Sequence, residues 1–251
     1  MTSTNDSRMR TSKPLLVAYQ ILWTGLLIGG LLTCLALSWA LNRAVNYGYG
    51  FWYDQLQIEQ HIDKYGPQNR YREGFESLSS AQHQALFAEI VDAIHDHGNG
   101  LESIRYSSAN QPSVALLHHD EIVHLQDVAN LVDVFIWVGV VALMVTLIST
   151  VILVSQRIAI RWRVQGAILV MLISSASLPL LIWGPKAVFY QMHIWIFPPG
   201  HPWFFYYQDS LMSTMMKAPD LFGGIAVGIV VPGLLLYGLA GFAAAKLLKR
   251  Q

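Results

Sequence analysis

Four long apolar segments limit what this chain can fold into more than any other feature of its sequence. They comprise residues 15–41, 134–154, 164–183 and 221–245. Each reaches the roughly 20 residues that a helix needs to cross a hydrocarbon core of about 30 Å. None contains Asp, Glu, Lys, Arg or His, so none predicts an ion path or a proton relay at mid-bilayer. The sequence therefore predicts an all-α integral membrane protein with four transmembrane helices.

Basic residues flank these segments in a pattern that predicts the orientation of the chain. They lie before the first segment, between the second and third, and after the fourth: Arg8, Arg10, Lys13, Arg157, Arg161, Arg163, Lys246, Lys249 and Arg250. Because short cytoplasmic loops are enriched in Lys and Arg, we expect residues 1–14, 155–163 and 246–251 to be cytoplasmic, with both termini inside. Residues 42–133 and 184–220 are then extracytoplasmic.

Charge and cysteine content exclude some functions. The formal net charge is zero, whereas nucleic-acid binding needs a basic surface, so no nucleic-acid partner is expected. The chain has one cysteine, Cys34, so no internal disulfide can form. It lies in the first apolar segment. Apolar burial also makes a thiol a poor nucleophile, so we expect Cys34 to pack as a small side chain.

The first extracytoplasmic region, residues 42–133, is long enough to have its own helical structure. Ser79 or Ser80 can cap a helix that Gly98 would end. The apolar positions of this helix recur at helical spacing: Ala81, Ala85, Leu86, Ile90 and Ile94. The stretch from Asn99 to Pro112 is polar and predicts a turn or a flexible crossing, and no alternating pattern predicts a strand.

Helical periodicity resumes at about Val114 and continues into the second apolar segment, which predicts one helix across the membrane interface. His118, Glu121, His124 and Asp127 are spaced three apart on it, and side chains at that spacing lie along one stripe. A carboxylate one turn from an imidazole can orient it and select its tautomer. The alternative is that the stripe is a solvated interfacial face.

The second extracytoplasmic region, residues 184–220, is aromatic and rich in proline. Its aromatic residues resemble the belts found at headgroup level, and its prolines favour a rigid, non-helical cover over a helix. His193 and Asp209 are polar side chains among its aromatic residues. An aromatic belt does not explain a histidine at that depth.

At these two regions the chain resembles the bacterial lipoprotein intramolecular transacylases. The first matching motif, Glu-x-x-His-x-x-Asp-Val, falls on residues 121–128. The second begins at His193 and continues through Phe197, Gly200, Trp203, Asp209, Leu211 and Pro219. The four-span topology also matches. Leu125 and Ala129 depart from the Met and Lys that are common in the family, and three residues separate Phe189 from His193.

The resemblance implies an acyltransferase of the bacterial plasma membrane. Such an enzyme moves the sn-2 acyl chain of a diacylglyceryl lipoprotein to the amine of the lipoprotein's own N-terminal cysteine, giving the lyso form. It needs no metal or cofactor, and its partners are the lipoprotein and the outer-leaflet lipid. Its implied catalytic residues are His124 and His193, one as general base and the other as acid or oxyanion donor, with Asp127 and Glu121 as orienters. Its implied substrate-binding residues are Trp195, Phe197, Trp203, Asp209 and His118.

Other functions remain open on the residues alone. A metal-dependent lipid hydrolase could use several of the outer side chains as zinc ligands: His118, His119, His124, His193, Asp127 and Glu121. A non-enzymatic sensor or assembly protein, or a haem held between His124 and His193, would also use outward histidines. The remaining histidines are expected at the surface: His61, His83, His95, His97 and His201. The sequence does not predict the oligomeric state.

Overall fold

The structure is a computed structural model that describes residues 13–108 and 111–249. Arg8, Arg10 and Arg250 of the basic clusters lie outside these ranges. The helices are α1 (Lys13–Ala44), α2 (Tyr49–Gln55), α3 (Ile58–Tyr65), α4 (Ser80–His95), α5 (His119–Ser155), α6 (Trp162–Trp183), α7 (Pro185–Ile196), α8 (Leu211–Met216) and α9 (Asp220–Lys249). Within the described ranges four of them, α1, α5, α6 and α9, are long and apolar enough to cross a membrane. The predicted fold class is confirmed.

Helix α1 packs against both α5 and α9. It lies close to α5 at Gly29, where an added Cβ would be 2.8 Å from Thr146 Oγ1 and 3.1 Å from the Ala142 carbonyl oxygen. Small residues at helix contacts let membrane helices gain van der Waals contact without a hydrophobic driving force. A side chain at Gly29 would therefore push α1 and α5 apart.

The contact between α1 and α9 compensates for a proline inside α9. Pro232 has no N–H to donate to the carbonyl four residues earlier, which belongs to Gly228. Asn42 Nδ2 of α1 donates to that carbonyl at 3.0 Å, and Ser38 Oγ donates to the Ile229 carbonyl at 2.7 Å. Side chains of a neighbouring helix thus satisfy the backbone that the proline frees.

Substitution of Asn42 tests this compensation. We expect Asn42→Leu to lower the free energy of unfolding by about 1–2 kcal/mol, because it leaves the Gly228 carbonyl without a donor. The cost should shrink in a Pro232→Ala background, since the alanine N–H can donate to Gly228 within the helix. Thermal unfolding of the four proteins in detergent measures both costs, and equal costs in the two backgrounds would contradict the assignment.

The two long connections, between α1 and α5 and between α6 and α9, lie at the same end of the bundle and share one core. Tyr49, Tyr53, Phe75 and Ile90 of the first connection are at most 2% exposed. These residues pack in one hydrophobic core with Leu211, Met212, Met215 and Met216 of α8. Helix α8 therefore holds the second connection against the first.

Helix α4 follows the sequence prediction closely. Ser79 is its N-cap, and the Ser79 side chain and Gln82 form a reciprocal capping box. Gly98 follows its C-terminus with a φ of +84°, a left-handed conformation that glycine adopts without steric cost. The Gly98 backbone N–H donates to the Ala93 carbonyl at 2.8 Å. The helix therefore ends shortly before Gly98, as predicted.

Two local predictions are wrong. Strands β1 (Arg105–Ser108) and β2 (Gln111–Ala115) form an antiparallel hairpin where a turn and then a helix from Val114 were expected. The hairpin is too short for a visible alternation, although Tyr106 is buried and Arg105 exposed. In the aromatic region, α7 is a helix rather than a non-helical cover. Pro185 occupies its first turn, where a missing N–H costs nothing.

The histidines expected at the surface differ in burial. His83 is 2% exposed, so the prediction is wrong for this residue. Its Nε2–H donates to the Phe75 carbonyl at 3.1 Å and its Nδ1 accepts from the Tyr53 hydroxyl at 2.9 Å. His61 and His95 are half-buried, and His97 and His201 are exposed.

Candidate active site

His124 and His193 lie next to each other, with 6.0 Å between their ring centroids. His124 is in the second turn of α5 and His193 in the last turn of α7. The two residues are far apart in the sequence, and the packing of the second connection onto the start of α5 brings them together. This pair is the centre of the candidate site.

A hydrogen bond fixes the tautomer of His193. Its Nδ1 lies 2.8 Å from the Phe189 carbonyl oxygen, which can only accept, so Nδ1 carries the proton. The Nε2 atom of the neutral ring then has a free lone pair. Partial burial lowers the pKa of His193, and the bond to Phe189 offsets only part of that shift. The lowered pKa keeps the His193 ring neutral to a lower pH than an ordinary histidine, with Nε2 as its proton acceptor.

His124 is more buried than His193, with 9% of its surface exposed. Its Nδ1 atom is buried and has no hydrogen-bond partner among the described residues. A buried polar atom without a partner costs free energy, and burial also disfavours the charged form of an imidazole. His124 thus has a neutral ring whose Nδ1 atom is not used by a hydrogen bond of the described fold.

Aromatic rings enclose the two histidines. Phe197 touches both, with its centroid 5.0 Å from that of His124 and 5.1 Å from that of His193. Phe205 lies 5.9 Å from His124, while Phe189 and Trp203 lie 4.1 Å and 5.0 Å from His193. Such walls keep the local dielectric low and strengthen polar interactions inside the site.

Asp127 does not bond to His124, contrary to the expectation that it orients this ring. Its Oδ2 atom accepts a hydrogen bond of 2.7 Å from Nδ1 of His201, a residue that sequence reasoning had set aside as a surface histidine. Asp127 bonds to His201 because its side chain points toward the 197–209 segment, which lies against α5 at this turn. The Asp127–His201 pair holds this aromatic segment over His124.

Glu121 is fully buried and joins the two connections. Its Oε1 accepts from the Ser210 hydroxyl and from the Met212 N–H at 3.4 Å. Its Oε2 accepts from the His118 N–H at 2.8 Å. Glu121 therefore anchors the start of α8 to the start of α5 and does not orient either histidine of the pair.

His118 and Asp209, both expected to bind substrate, also connect the two regions. His118 is the N-cap residue of α5, and its side-chain Nε2 donates to the Asp209 carbonyl at 3.0 Å. Asp209 Oδ1 accepts from Arg70 at 3.0 Å. Trp195 is 74% exposed and is not among the described rings that contact the pair.

Sequence reasoning assigned no role in the site to Phe189, Phe205, His201 or Ser210. Phe189 precedes His193 by four residues, the spacing of neighbours on a helix, so a helical assignment of residues 185–196 would have found it. The other three contact α5 across the fold and leave no local signal. No three His, Cys, Asp or Glu side chains within residues 13–108 and 111–249 are grouped closely enough to hold a metal ion.

Comparison with known proteins adds a family to this geometry. The profile of the family described as lipoprotein intramolecular transacylase Lit matches residues 24–218. A solved structure of the membrane integral lipoprotein intramolecular transacylase Lit from Bacillus cereus, of a variant with a substituted histidine, is similar with a TM-score of 0.61 and 17% identity, covering 94% of this chain and 96% of that chain. A second structure of the Bacillus cereus protein has a TM-score of 0.61 and 16% identity, covering 92% and 97%. No curated protein sequence matches.

Proposed function

The chain belongs to the lipoprotein intramolecular transacylase family, and we propose that His124 and His193 are the residues through which it performs that family's reaction. The protein is a membrane acyltransferase. It moves the sn-2 acyl chain of a diacylglyceryl lipoprotein to the amine of the N-terminal cysteine of the same molecule. The contact between the two histidines is the observation that carries the assignment of the site.

His193 is the general base of this proposal. Its Nε2 lone pair takes a proton from the cysteine amine as the nitrogen attacks the ester carbonyl. It then returns that proton to the sn-2 oxygen when the carbon–oxygen bond breaks. The hydrogen bond to Phe189 supports this role because it keeps the ring in the tautomer that leaves Nε2 free.

His124 is the donor to the tetrahedral oxyanion. A neutral imidazole has one N–H, and the buried, unpartnered Nδ1 of His124 supports a role toward the substrate rather than toward the fold. An oxyanion donor in a site screened from water contributes more than it would in solution. Because amine and ester belong to one molecule, positioning supplies much of the acceleration, and the scheme needs no enzyme nucleophile.

The aromatic walls would hold the acyl chains. Phe197 and Trp203 were expected to bind substrate, and both contact the histidine pair. The exposed Trp195 fits better as an anchor at the lipid surface. The chains would come from the outer leaflet of the bacterial plasma membrane, which requires the site to be extracytoplasmic.

Topology mapping tests this location. We expect reporter fusions at residue 70, within residues 155–163 and at residue 205 to report outside, inside and outside, because Lys and Arg flank the predicted cytoplasmic loops. Both termini would then be cytoplasmic. The reverse order would place the histidine pair on the wrong side for a lipoprotein substrate.

The protonation of individual histidines can be measured by their reaction with diethyl pyrocarbonate, which modifies neutral imidazoles. The Asp133 carboxylate accepts a hydrogen bond from His97 and raises the pKa of that ring, whereas burial lowers the pKa of His193. On lowering the pH we therefore expect His97 to lose reactivity first. His193 should stay reactive below pH 6.5, which is about the usual pKa of a histidine side chain. Peptide-resolved mass spectrometry gives both midpoints, and the opposite order would contradict a neutral His193.

Lipoproteins from cells provide the test of the function itself. Cells with this protein should contain lyso-form lipoproteins whose N-terminal cysteine is acylated on nitrogen, and cells without it should not. Mass spectrometry of lipoprotein N-termini reads out both groups. Identical N-termini in the two strains would overturn the proposal.

A further inference from the structure

A cavity lies beside the histidine pair, on the far side of the Phe205 ring. Its volume is about 440 Å³, and it is bounded by the start of α5, the aromatic segment and the loop before residue 73. Five of its lining residues, Tyr71, His119, Asp120, Phe204 and Tyr206, are exposed, so the cavity opens to the surface. Its main lining residues are Tyr71, Arg72, His119, Asp120, Phe204 and Tyr206.

The cavity is close enough to the catalytic pair for one extended ligand to reach both. Phe205 lies 5.9 Å from His124 on one side and 6.1 Å from His118, at the edge of the cavity, on the other. The His118 ring is thus at most about 12 Å from the His124 ring, which an extended peptide spans in about three to four residues.

The walls of the cavity combine aromatic rings with charged and polar side chains. Arg72, His119 and Asp120 place polar groups on its walls, and burying hydrocarbon there would cost desolvation of those groups. Within the described residues, Arg72 donates to the carbonyls of Ala115 and Tyr71. A guanidinium has five N–H donors, so donors remain for the carbonyl oxygens of a peptide.

We propose that this cavity binds the peptide segment of the lipoprotein that follows the lipidated cysteine. The inference rests on the proposed function, because that reaction places a cysteine at the histidine pair. The peptide must leave the site there while the acyl chains stay among the aromatic rings. The surface-open cavity, with Arg72, His119 and Asp120 on its walls, provides that exit, and its distance from His124 assigns it the second to fourth residues after the cysteine.

A substrate-length series with the purified full-length protein tests this assignment. One substrate is a diacylglyceryl cysteine amide, and the other carries four further residues. For the wild-type protein we expect a lower KM for the long substrate than for the short one. The double variant His119→Ala, Tyr206→Ala should raise the KM of the long substrate roughly three- to tenfold, the size expected from one or two lost hydrogen bonds. The kcat of the double variant for the long substrate, and its KM for the short substrate, should stay within about twofold of the wild-type values. That is no more than the free energy of one weak hydrogen bond.

The control is His97→Ala, which removes an exposed histidine that pairs with Asp133, away from the cavity. It should change neither KM. Unchanged turnover of the short substrate shows that the double variant is folded. Equal KM values of the two substrates in the wild-type protein, or an equal rise for both in the variant, would overturn the inference while leaving the function intact. If the wild-type protein turns over neither substrate, the proposed function fails and this inference fails with it.

Discussion

His193→Ala is expected to lower the rate of acyl transfer by at least about a hundredfold, the lower range for removal of a general base. His124→Ala should cost about 10²- to 10³-fold, as loss of an oxyanion donor does. Neither ring has a described hydrogen bond that joins two parts of the fold: His193 bonds within α7 and His124 Nδ1 has no partner. Both variants should therefore still accumulate in the membrane.

The matched control is again His97→Ala, which should retain full activity. His83→Ala is unsuitable because the buried His83 links Tyr53 to Phe75, so its loss would affect folding. Turnover of labelled lipopeptide by each purified variant gives the rates. Full activity of either His124→Ala or His193→Ala would rule out the two-histidine scheme.

Glu121→Ala should have the largest effect on stability. It removes the acceptor for the Ser210 hydroxyl and for the N–H groups of Met212 and His118, in a place with no access to water. Leaving buried donors unpaired costs about 1–3 kcal/mol each. We expect a loss of roughly 3 kcal/mol or more, or about 6–12 °C in the unfolding midpoint for a chain of this size.

Two further variants separate this anchoring role from a general effect of removing a carboxylate. Glu121→Gln keeps an acceptor oxygen and should lose less stability than Glu121→Ala. Glu102→Ala removes an exposed carboxylate and should leave the midpoint nearly unchanged. Thermal unfolding in detergent compares the three variants, and a stable Glu121→Ala protein would disprove the anchor.

Some features could be predicted because they repeat locally. The apolar runs predicted the four membrane helices, and the capping residues predicted the ends of α4 near Ser79 and Gly98. The three-residue spacing of Glu121, His124 and Asp127 predicted one stripe on α5. These features need only the period of a helix and the chemistry of its ends.

The partners of that stripe could not be predicted, because they come from the second connection. Glu121 bonds to Ser210 and Asp127 to His201, more than 70 residues further along the chain in each case. No sequence period reports such a contact. The neighbouring carboxylates were therefore assigned to the histidines of their own helix. The pairing of His124 with His193 came from the family resemblance rather than from the residues.

The chemical fate of the acyl chain tests the central claim most directly. Purified protein is incubated with a synthetic diacylglyceryl lipopeptide in the presence of a chelator, and the products are fragmented in a mass spectrometer. Transfer within one molecule keeps the intact mass unchanged and moves one acyl group from glycerol to the cysteine nitrogen, and we expect this result. A hydrolase, such as a metal-dependent one, would release a fatty acid and leave a lighter lipopeptide with a free amine. That product, or a reaction that stops with chelator and returns with zinc, would contradict the account.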